Sequence, residues 1–328
     1  MIEGSLIARP LTEEEVRLVS ARYFPGNTLT KFTVLAGGMF NNTVRLDFSD
    51  RTPVVLRAGP VKRELLIPFE LHLMEAEAEV DRLCEAAGIP CSHLLAVDSS
   101  KELLDRDFML VDCLDAVPLS DPSVPPEAKP ALYRETGRHM AKLHQIKGPS
   151  FGRVWDVSTG HGFQSWFDAL MKELSDVSDL LLKYRLMEQS LISGIRDLFT
   201  ENAPLFESVQ SPALVHADLW EGNVLAQRKN GAWEIAAIID GDRAYFGELD
   251  YDFANPGMIN EHFLEGYGPA PADTPDRQKK NKLYRLLWDM TDAYVWEIEY
   301  HNHENFLHKK EEVEAGFREI SLLAKESQ

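Results

Sequence analysis

The strongest constraint on the fold of this chain is an ordered set of polar residues in the segment 214–254. His216 and Asp218 follow a short apolar run, Asn223 comes five residues after Asp218, and Asp240 ends a second apolar run. One strand would lead Asp218 into a loop, and another would place Asp240 beside Asn223. A carboxylate can take the proton of a hydroxyl, and carboxylate and amide oxygens suit Mg²⁺. The set is typical of enzymes that move a phosphoryl group from ATP to a hydroxyl.

Each member of this set also has a simpler interpretation. Asp218 could cap a helix, and Asp240 could be a turn residue after a buried strand. The catalytic interpretation depends on the order and spacing of all the residues together. It makes Asp218 the base and Asn223 and Asp240 the Mg²⁺ ligands.

The bulk composition limits the classes of partner. The chain has 328 residues, with 53 acidic and 34 basic side chains and a formal charge of −19. A nucleic-acid-binding protein needs a basic face, so we predict no nucleic-acid partner. The acidity is compatible with a cationic small molecule, although it could serve solubility alone.

No segment has the pattern of a secretory signal or a membrane span. No apolar run reaches the roughly 20 residues that a membrane helix needs. Cys84, Cys91 and Cys113 are odd in number and lack metal-site spacing, so we expect reduced thiols. We therefore predict a cytoplasmic protein, a monomer or homodimer, that contacts no membrane.

The amino-terminal part is predicted to be rich in strands. A capping box at Thr12 opens a first helix, and strand-like alternation begins near Phe32. The turn at Gly37 and Gly38 lies between two strands, whereas Rossmann and Walker loops open a helix. Such a loop can fold over a nucleotide triphosphate, although a Gly-Gly hairpin turn is also common without a ligand.

One strand and one helix supply charges that a nucleotide site requires. The predicted strand Val54–Arg57 ends in a cation, and the predicted helix 71–87 carries Glu75, Glu77 and Glu79. A kinase needs one carboxylate on this helix to hold the cation.

The pattern of the chain changes after a crossover at 112–114. Helical periodicity predominates beyond it, including long helices at 279–301 and 311–325. We therefore predict a two-lobed α+β fold. Residues 1–112 would form a nucleotide-binding lobe, and residues 113–328 a helical lobe with the catalytic loop, metal site and acceptor pocket.

Several motifs resemble the aminoglycoside phosphotransferase and choline kinase superfamily, small-molecule kinases with a protein-kinase-like fold. The resemblance is carried by HADLWEGN and IIDGDRAYFGELDYDFA, and it extends to LAGGMFNNTVRL, VVLRAG, EAEVDRLCEAAGIP and FMLVDCL. It covers residues 31 to 254. The octet HADLWEGN is also similar to the fructosamine kinase branch, but the segment IDGDRA matches that branch poorly.

The resemblance implies roles for the residues of the catalytic segment. Asp218 would be the catalytic base, and His216 would support the catalytic loop. Asn223 and Asp240 would bind Mg²⁺, and Asp252 would brace the loop without reacting.

The resemblance also implies a complete nucleotide site. Arg57 would contact the α- and β-phosphates, and Glu77 would orient it. ATP is the implied nucleotide, with GTP left open. The other contacts would come from the glycine loop and the crossover: Gly37, Gly38, Asn41, Asn42, Asp112, Cys113 and Leu114.

Some positions depart from the usual family pattern. Ala217 replaces a glycine, but it is small enough to keep the loop tight. Gly241 replaces an aromatic residue, and Asp242 follows it. Asp242 is either a second metal contact or the acidic residue that many relatives have there, and we favour the second. Arg57 replaces a lysine, as in many relatives, and offers a forked donor.

The acceptor is predicted to be a small, amine-bearing molecule. An aminoglycoside-type antibiotic is the first expectation, which would imply a role in antibiotic resistance. A sugar amine such as fructosamine is the second, and choline or homoserine the third. A non-catalytic nucleotide-binding scaffold is the alternative from another class, and the complete catalytic set disfavours it. The candidate acceptor contacts are Asp242, Glu261, Glu265, Asp289 and Asp292. The four on the later helices could equally be solvated side chains.

Overall fold

The computed structural model of the chain describes residues 5–35, 39–255 and 257–326. The predicted nucleotide contacts Gly37 and Gly38 lie outside these residues. Within them, no helix is both long and apolar enough to cross a membrane.

The amino-terminal part is built on a five-stranded antiparallel sheet with the order β1-β2-β3-β5-β4. Leu46 and Leu56 are fully buried on the face that packs against helix α1, Glu13–Tyr23. This helix begins at the predicted capping box of Thr12. The strands are β1 Leu29–Val34, β2 Asn42–Phe48, β3 Val54–Ala58, β4 Leu94–Asp98 and β5 Phe108–Asp112.

Helix α2, Leu73–Ala86, lies between the sheet and the helical part of the chain. Its Met74 packs against Met109 of β5. Its Val80 and Cys84, one turn apart, belong instead to a core cluster of the helical part. The helix that carries the predicted partner of Arg57 is therefore packed against both parts.

The carboxyl-terminal part is mainly helical, as predicted. Its largest core is formed by the long helices α5, α6, α10 and α11. The helices are α3 Lys129–Leu143, α4 Val154–Ser158, α5 Trp166–Lys183, α6 Gln189–Glu201, α7 Ala203–Glu207, α8 Asp250–Ala254, α9 Glu261–Tyr267, α10 Pro275–Tyr294 and α11 His303–Glu326.

Two small antiparallel sheets in this part position the polar residues of the segment 214–254. The first has the order β10-β9-β6 and the second the order β7-β11-β8. The end of β8 leads into the loop with Asp218, and the end of β10 leads to Asp240. The strands are β6 Val117–Pro118, β7 Gly152–Arg153, β8 Ala213–Val215, β9 Val224–Lys229, β10 Ala232–Ile238 and β11 Tyr245–Gly247.

The helix predicted at 279–301 differs from the observed one at both ends. Helix α10 begins at Pro275, where Thr274 caps it, and its α-helical pattern ends at Tyr294. A π-helical turn, Val295–Glu299, continues the chain. The apolar periodicity persists through this turn, so the sequence pattern alone does not reveal the change in hydrogen bonding.

A short arm before α1 connects distant parts of the chain. The Leu6 amide donates to the Glu299 carbonyl at 2.7 Å, and the Val61 amide donates to the Ile7 carbonyl at 2.9 Å. Ile7 is fully buried in the core of the helical part, together with Ile67. Residues before 112 thus contribute to that core, and the division between residues 112 and 113 stays a prediction.

Candidate active site

A buried carboxylate fixes the start of the catalytic loop. Asp252 accepts hydrogen bonds from the amides of His216 at 2.9 Å and Ala217 at 2.7 Å, and from His144 Nε2 at 2.9 Å. Burial alone would raise the pKa of this carboxyl group. The hydrogen bonds from His144 and the loop outweigh burial and lower the pKa of Asp252. Asp252 therefore acts as an ionised brace.

The ring of His216 supports the same loop. Its Nε2 lies 3.0 Å from the Ile239 carbonyl oxygen, and its Nδ1 lies 3.3 Å from the Asp218 amide. Because the carbonyl oxygen accepts and the amide donates, these contacts fit a ring that donates from Nε2 and accepts at Nδ1. The backbone engages both ring nitrogens, so His216 has a supporting position and not that of a proton acceptor for substrate.

Asp218 and Asn223 are joined within the loop. Asn223 Nδ2 donates to the carbonyl oxygen of Asp218 at 2.8 Å and to its Oδ2 at 3.0 Å. The Asn223 side chain also carries an amide oxygen, the kind of hard donor that suits Mg²⁺. Burial raises the pKa of Asp218, and the positive charge of Arg243 opposes that shift. A raised pKa makes the carboxylate a better proton acceptor.

Arg57 ties two acidic residues together. Arg57 lies on β3, and its guanidinium donates from Nη1 to Glu77 of α2 and from Nη2 to Asp240. Burial disfavours the charged form of Arg57, but the carboxylates of Asp240 and Glu77 outweigh burial and raise its pKa. The structure thus brings together the predicted phosphate-binding cation, its predicted partner and a predicted metal ligand.

Asp242 lies close to Asp240, the predicted metal ligand of this cluster. It belongs to the short 3-10 turn Gly241–Arg243, directly after Asp240. Carboxylate oxygens of Glu77, Asp240 and Asp242 lie within 4.8 Å of one another. Burial, and then the charge of Asp240, raise the pKa of Asp242 to about 7. These oxygen donors fit a divalent cation, and Asp242 is placed with them and not with the other candidate acceptor contacts.

Unsatisfied polar atoms lie where the nucleotide is predicted to bind. Among the described residues, Asn41 Oδ1, Asn42 Nδ2 and Glu77 Oε2 are buried without a hydrogen-bond partner. Leaving a buried polar atom unpaired costs about 1–3 kcal/mol, so ligand atoms that pair with them would be favourable. The predicted adenine contacts at 112–114 begin at the last residue of β5 and lead towards β6. The residues present therefore fit a nucleotide triphosphate with Mg²⁺.

The acidic residues predicted on the later helices are engaged elsewhere. Asp289 and Asp292 lie 2.8 and 3.3 Å from Lys309 Nζ on α11. Glu265 pairs with an arginine of α3 at 3.1 Å, and Glu261 is exposed at the first residue of α9. In the described part of the chain, none of these four carboxylates is hydrogen-bonded to the catalytic loop. They therefore give no support to a cationic acceptor.

Sequence reasoning missed three residues around the cluster. Trp220 lies two residues after Asp218 and is 47% exposed, an unusual exposure for the largest side chain. Asp81 is buried on α2 one turn after Glu77, and its helical spacing could have revealed it. Arg243 approaches Asp218, and only the fold brings its long-range partners together.

The comparisons with known proteins agree on one family. The family model described as "Phosphotransferase enzyme family" matches residues 31–278. The probable ketoamine kinase YniA of Escherichia coli K-12 is 28% identical over 69% of this chain and 75% of that protein. The chloroplastic protein-ribulosamine 3-kinase of Arabidopsis thaliana is 24% identical over 49% of this chain, and the match spans about half of that protein, 51%.

The fold is shared with a solved phosphotransferase. The structure is a ternary complex of a thermostable mutant of aminoglycoside phosphotransferase APH(4)-Ia with AMP-PNP and hygromycin B. The TM-score is 0.62 with 18% identity, and the match covers 93% of this chain and 98% of the other. This likeness confirms the predicted two-lobed, protein-kinase-like α+β fold.

Proposed function

The chain belongs to the phosphotransferase enzyme family, and we propose that it transfers the γ-phosphate of ATP to a hydroxyl of a small, amine-bearing molecule. The observation that carries the proposal is the linked set around the catalytic loop. Asp218 is bonded to Asn223, and the neighbouring Asp240 is joined through Arg57 to Glu77. GTP stays open as a second nucleotide.

The chemistry follows from the position of the base. The Asp218 carboxylate accepts the proton of the acceptor hydroxyl as that oxygen forms a bond to the γ-phosphorus. The bond from the γ-phosphorus to the bridging oxygen breaks, and ADP leaves with that electron pair. Burial raises the pKa of Asp218, which favours proton transfer to this carboxylate.

Asn223 and Asp240 would hold Mg²⁺, and Asp242 lies close enough to add a third oxygen donor. When bound, Mg²⁺ neutralises charge on the phosphates. Arg57 would orient the phosphates and Glu77 would keep Arg57 extended across the site, because its guanidinium already bonds to both acidic partners.

A ketoamine, a sugar that carries a substituted amine, is the acceptor class that we propose first. Two observations favour it over the antibiotic first expected from the sequence. The relatives compared above carry ketoamine and ribulosamine kinase names. In addition, the half-exposed indole of Trp220, two residues after Asp218 in the catalytic loop, offers a flat apolar face and a hydrogen-bond donor.

An aminoglycoside is the second candidate acceptor. The formal charge of −19 favours a polycationic molecule through long-range attraction. This charge acts on the rate of encounter and does not by itself form a binding pocket.

An ATP-consumption screen against ketoamines, aminoglycosides and amino alcohols tests the proposal. We expect turnover with a ketoamine, and a loss of about 100-fold or more in kcat for Asp218→Asn, because the amide cannot accept the proton. Asp179→Asn, an exposed carboxylate on α5, is the matched control and should retain full activity.

The outcomes separate the alternatives. Turnover only with aminoglycosides would support the second candidate acceptor. Full phosphorylation of any acceptor by Asp218→Asn would refute the proposed base. Nucleotide binding that ignores Mg²⁺, with no turnover of any acceptor, would favour a non-catalytic scaffold.

A further inference from the structure

The carboxyl end of the catalytic loop is anchored to helix α3 through Glu221. Lys129 Nζ donates to the two Glu221 carboxylate oxygens at 2.9 and 3.2 Å. The Tyr133 hydroxyl donates to the same carboxylate. Lys129 and Tyr133 are four residues apart on α3, so they present their donors from one face of the first helical turns.

Glu221 lies at a sensitive point in the loop. It opens the short 3-10 turn Glu221–Asn223, between the base Asp218 and the predicted metal ligand. The backbone amide of Asn223 donates to the Trp220 carbonyl oxygen at 3.0 Å, and the Asn223 side chain donates to the Asp218 carboxylate. A shift of the turn would therefore move the Asn223 side chain and the predicted base Asp218 together.

The packing of the loop leaves little room for such a shift. A Cβ added at Gly222 would fall 2.2 Å from the indole of Trp220, so the ring is stacked directly against the turn. The start of the loop is already fixed by Asp252 at residues 216 and 217. The contacts of Glu221 fix the other end.

The energetics of these contacts argue for a role in position more than in stability. The Lys129 and Glu221 side chains are 27% and 23% exposed, and ion pairs of that kind add about 0–1 kcal/mol to folding. Two donors converging on one carboxylate nevertheless restrict its location strongly.

We propose that Glu221, held by Lys129 and Tyr133 of α3, is a positioning residue that sets Asn223 for metal-dependent nucleotide binding. The inference rests on the proposed kinase function. It predicts that loosening this anchor reduces the gain in nucleotide affinity that Mg²⁺ provides. The nucleotide affinity measured without Mg²⁺ should stay nearly unchanged.

The test measures binding of AMP-PNP by calorimetry, with and without Mg²⁺, in the full chain. For the double variant Lys129→Met/Tyr133→Phe we expect the Mg²⁺-dependent gain in affinity to fall about tenfold. Affinity without Mg²⁺ should stay within about twofold of the wild type, since the anchor does not contact Arg57 or Asn41.

Matched variants separate positioning from general damage. Lys129→Arg keeps the charge and should restore most of the Mg²⁺-dependent gain. Lys142→Met removes an exposed cation from the last turn of the same helix and should change nothing. If the double variant is unstable, the single variants Tyr133→Phe and Lys129→Met carry the comparison.

Two results would overturn the inference. One is an unchanged Mg²⁺-dependent gain in folded variants; the other is an equal loss of affinity with and without Mg²⁺, which indicates a structural role only. If Mg²⁺ had no effect on AMP-PNP binding by the wild-type protein, the proposed function would be overturned as well. This measurement precedes the variants, so the two failures are distinguishable.

Discussion

At the scale of single residues, Ala217 occupies a backbone conformation that glycine adopts most easily, with φ at 66°. This conformation lets two consecutive loop amides reach Asp252. We expect Ala217→Val to lower the free energy of unfolding by about 1–2 kcal/mol, because a branched side chain tolerates this conformation poorly. Urea unfolding of the purified proteins measures the difference.

Ala217→Gly is the matched control for this substitution. It relieves strain but increases the freedom of the unfolded chain, and these effects oppose each other. The change in unfolding free energy should therefore stay within about 0.5 kcal/mol. A valine variant as stable as the wild type would show that the loop can adopt another conformation.

Asp81 gives a prediction that depends on pH. Burial is the main reason that its pKa is raised to about 7, although Arg57 opposes the shift. In the unfolded chain its pKa is near 3.9, so the folded state binds the extra proton between these values. The contribution of Asp81 to stability therefore decreases as pH rises from about 4 to about 7, and is fully lost above that.

Asp81→Asn removes this titration while keeping the size of the side chain. We expect the variant to gain about 1–3 kcal/mol in unfolding free energy relative to the wild type at pH 8, and much less at pH 4.5. Urea unfolding at both pH values measures it, with Asp276→Asn at the exposed start of α10 as the control. An advantage that is equal at both pH values would contradict the assigned pKa.

Much of the candidate site was predictable at this scale because its signals are local in sequence. The spacing from His216 to Asn223 and the strand before Asp240 are patterns of neighbouring residues, and they mark the groups predicted to function. The approach of Arg243 to Glu70 and Asp218 could not be predicted, because only the folded chain brings these residues together. Asp242 was ambiguous for the same reason.

At the scale of elements, α3 and α9 pack so closely that two glycines are required. A Cβ at Gly137 would lie 2.1 Å from the Phe263 carbonyl oxygen, and one at Gly266 would lie 1.9 Å from that of Arg134. We expect Gly137→Ala to cost about 2–3 kcal/mol, because the helices must separate. Thermal unfolding followed by circular dichroism measures the loss.

Gly316→Ala provides the opposite expectation on α11. A Cβ there would lie 3.6 Å from Leu286 Cδ1, an ordinary contact. Because alanine favours helix, the variant should gain about 0.5–1 kcal/mol. If Gly137→Ala and Gly316→Ala changed stability in the same direction, the close contact between α3 and α9 at Gly137 would not explain the effect of Gly137→Ala.

Element boundaries were predictable where a side chain marks them. Thr12 and Glu15 form the predicted cap of α1 with reciprocal hydrogen bonds. The start of β1 at Leu29, before the predicted start near Phe32, depends on pairing with Phe48 across the hairpin. Such pairing is a property of two strands, and the alternation within one strand does not encode it.

At the scale of the whole molecule, the arm before α1 joins parts that the sequence separates by almost 300 residues. Ile7 is fully buried in the core that α5 and α10 share. We expect Ile7→Ala to lower the unfolding free energy by about 2–4 kcal/mol through loss of burial and the cavity left behind. Urea unfolding measures it.

Leu6→Ala is the control, because Leu6 is 38% exposed and its amide still donates to Glu299. It should change the unfolding free energy by less than about 0.5–1 kcal/mol. Equal losses for both variants would place the effect in the arm's backbone and not in the buried side chain.

The two-lobed organisation was predictable because strand-like and helical periodicities predominate in different parts of the chain. The packing of residues before 112 into the helical core was not predictable, since no local pattern records a contact with helices near the carboxyl end. The acceptor pocket was unpredictable for a related reason. Three of the acidic residues proposed for it, Glu265, Asp289 and Asp292, pair instead with a lysine or arginine of a neighbouring helix.

The bridge that Arg57 makes between Glu77 and Asp240 has a consequence for the order in which ligands arrive. A divalent cation alone would have to displace a guanidinium that is already paired with both carboxylates. In the proposed kinase, a nucleotide that carries its own Mg²⁺ would offer Arg57 new partners in the phosphates while it delivers the ion to Asp240. Metal and nucleotide are therefore expected to enter as one complex, and free Mg²⁺ to bind weakly to the protein by itself.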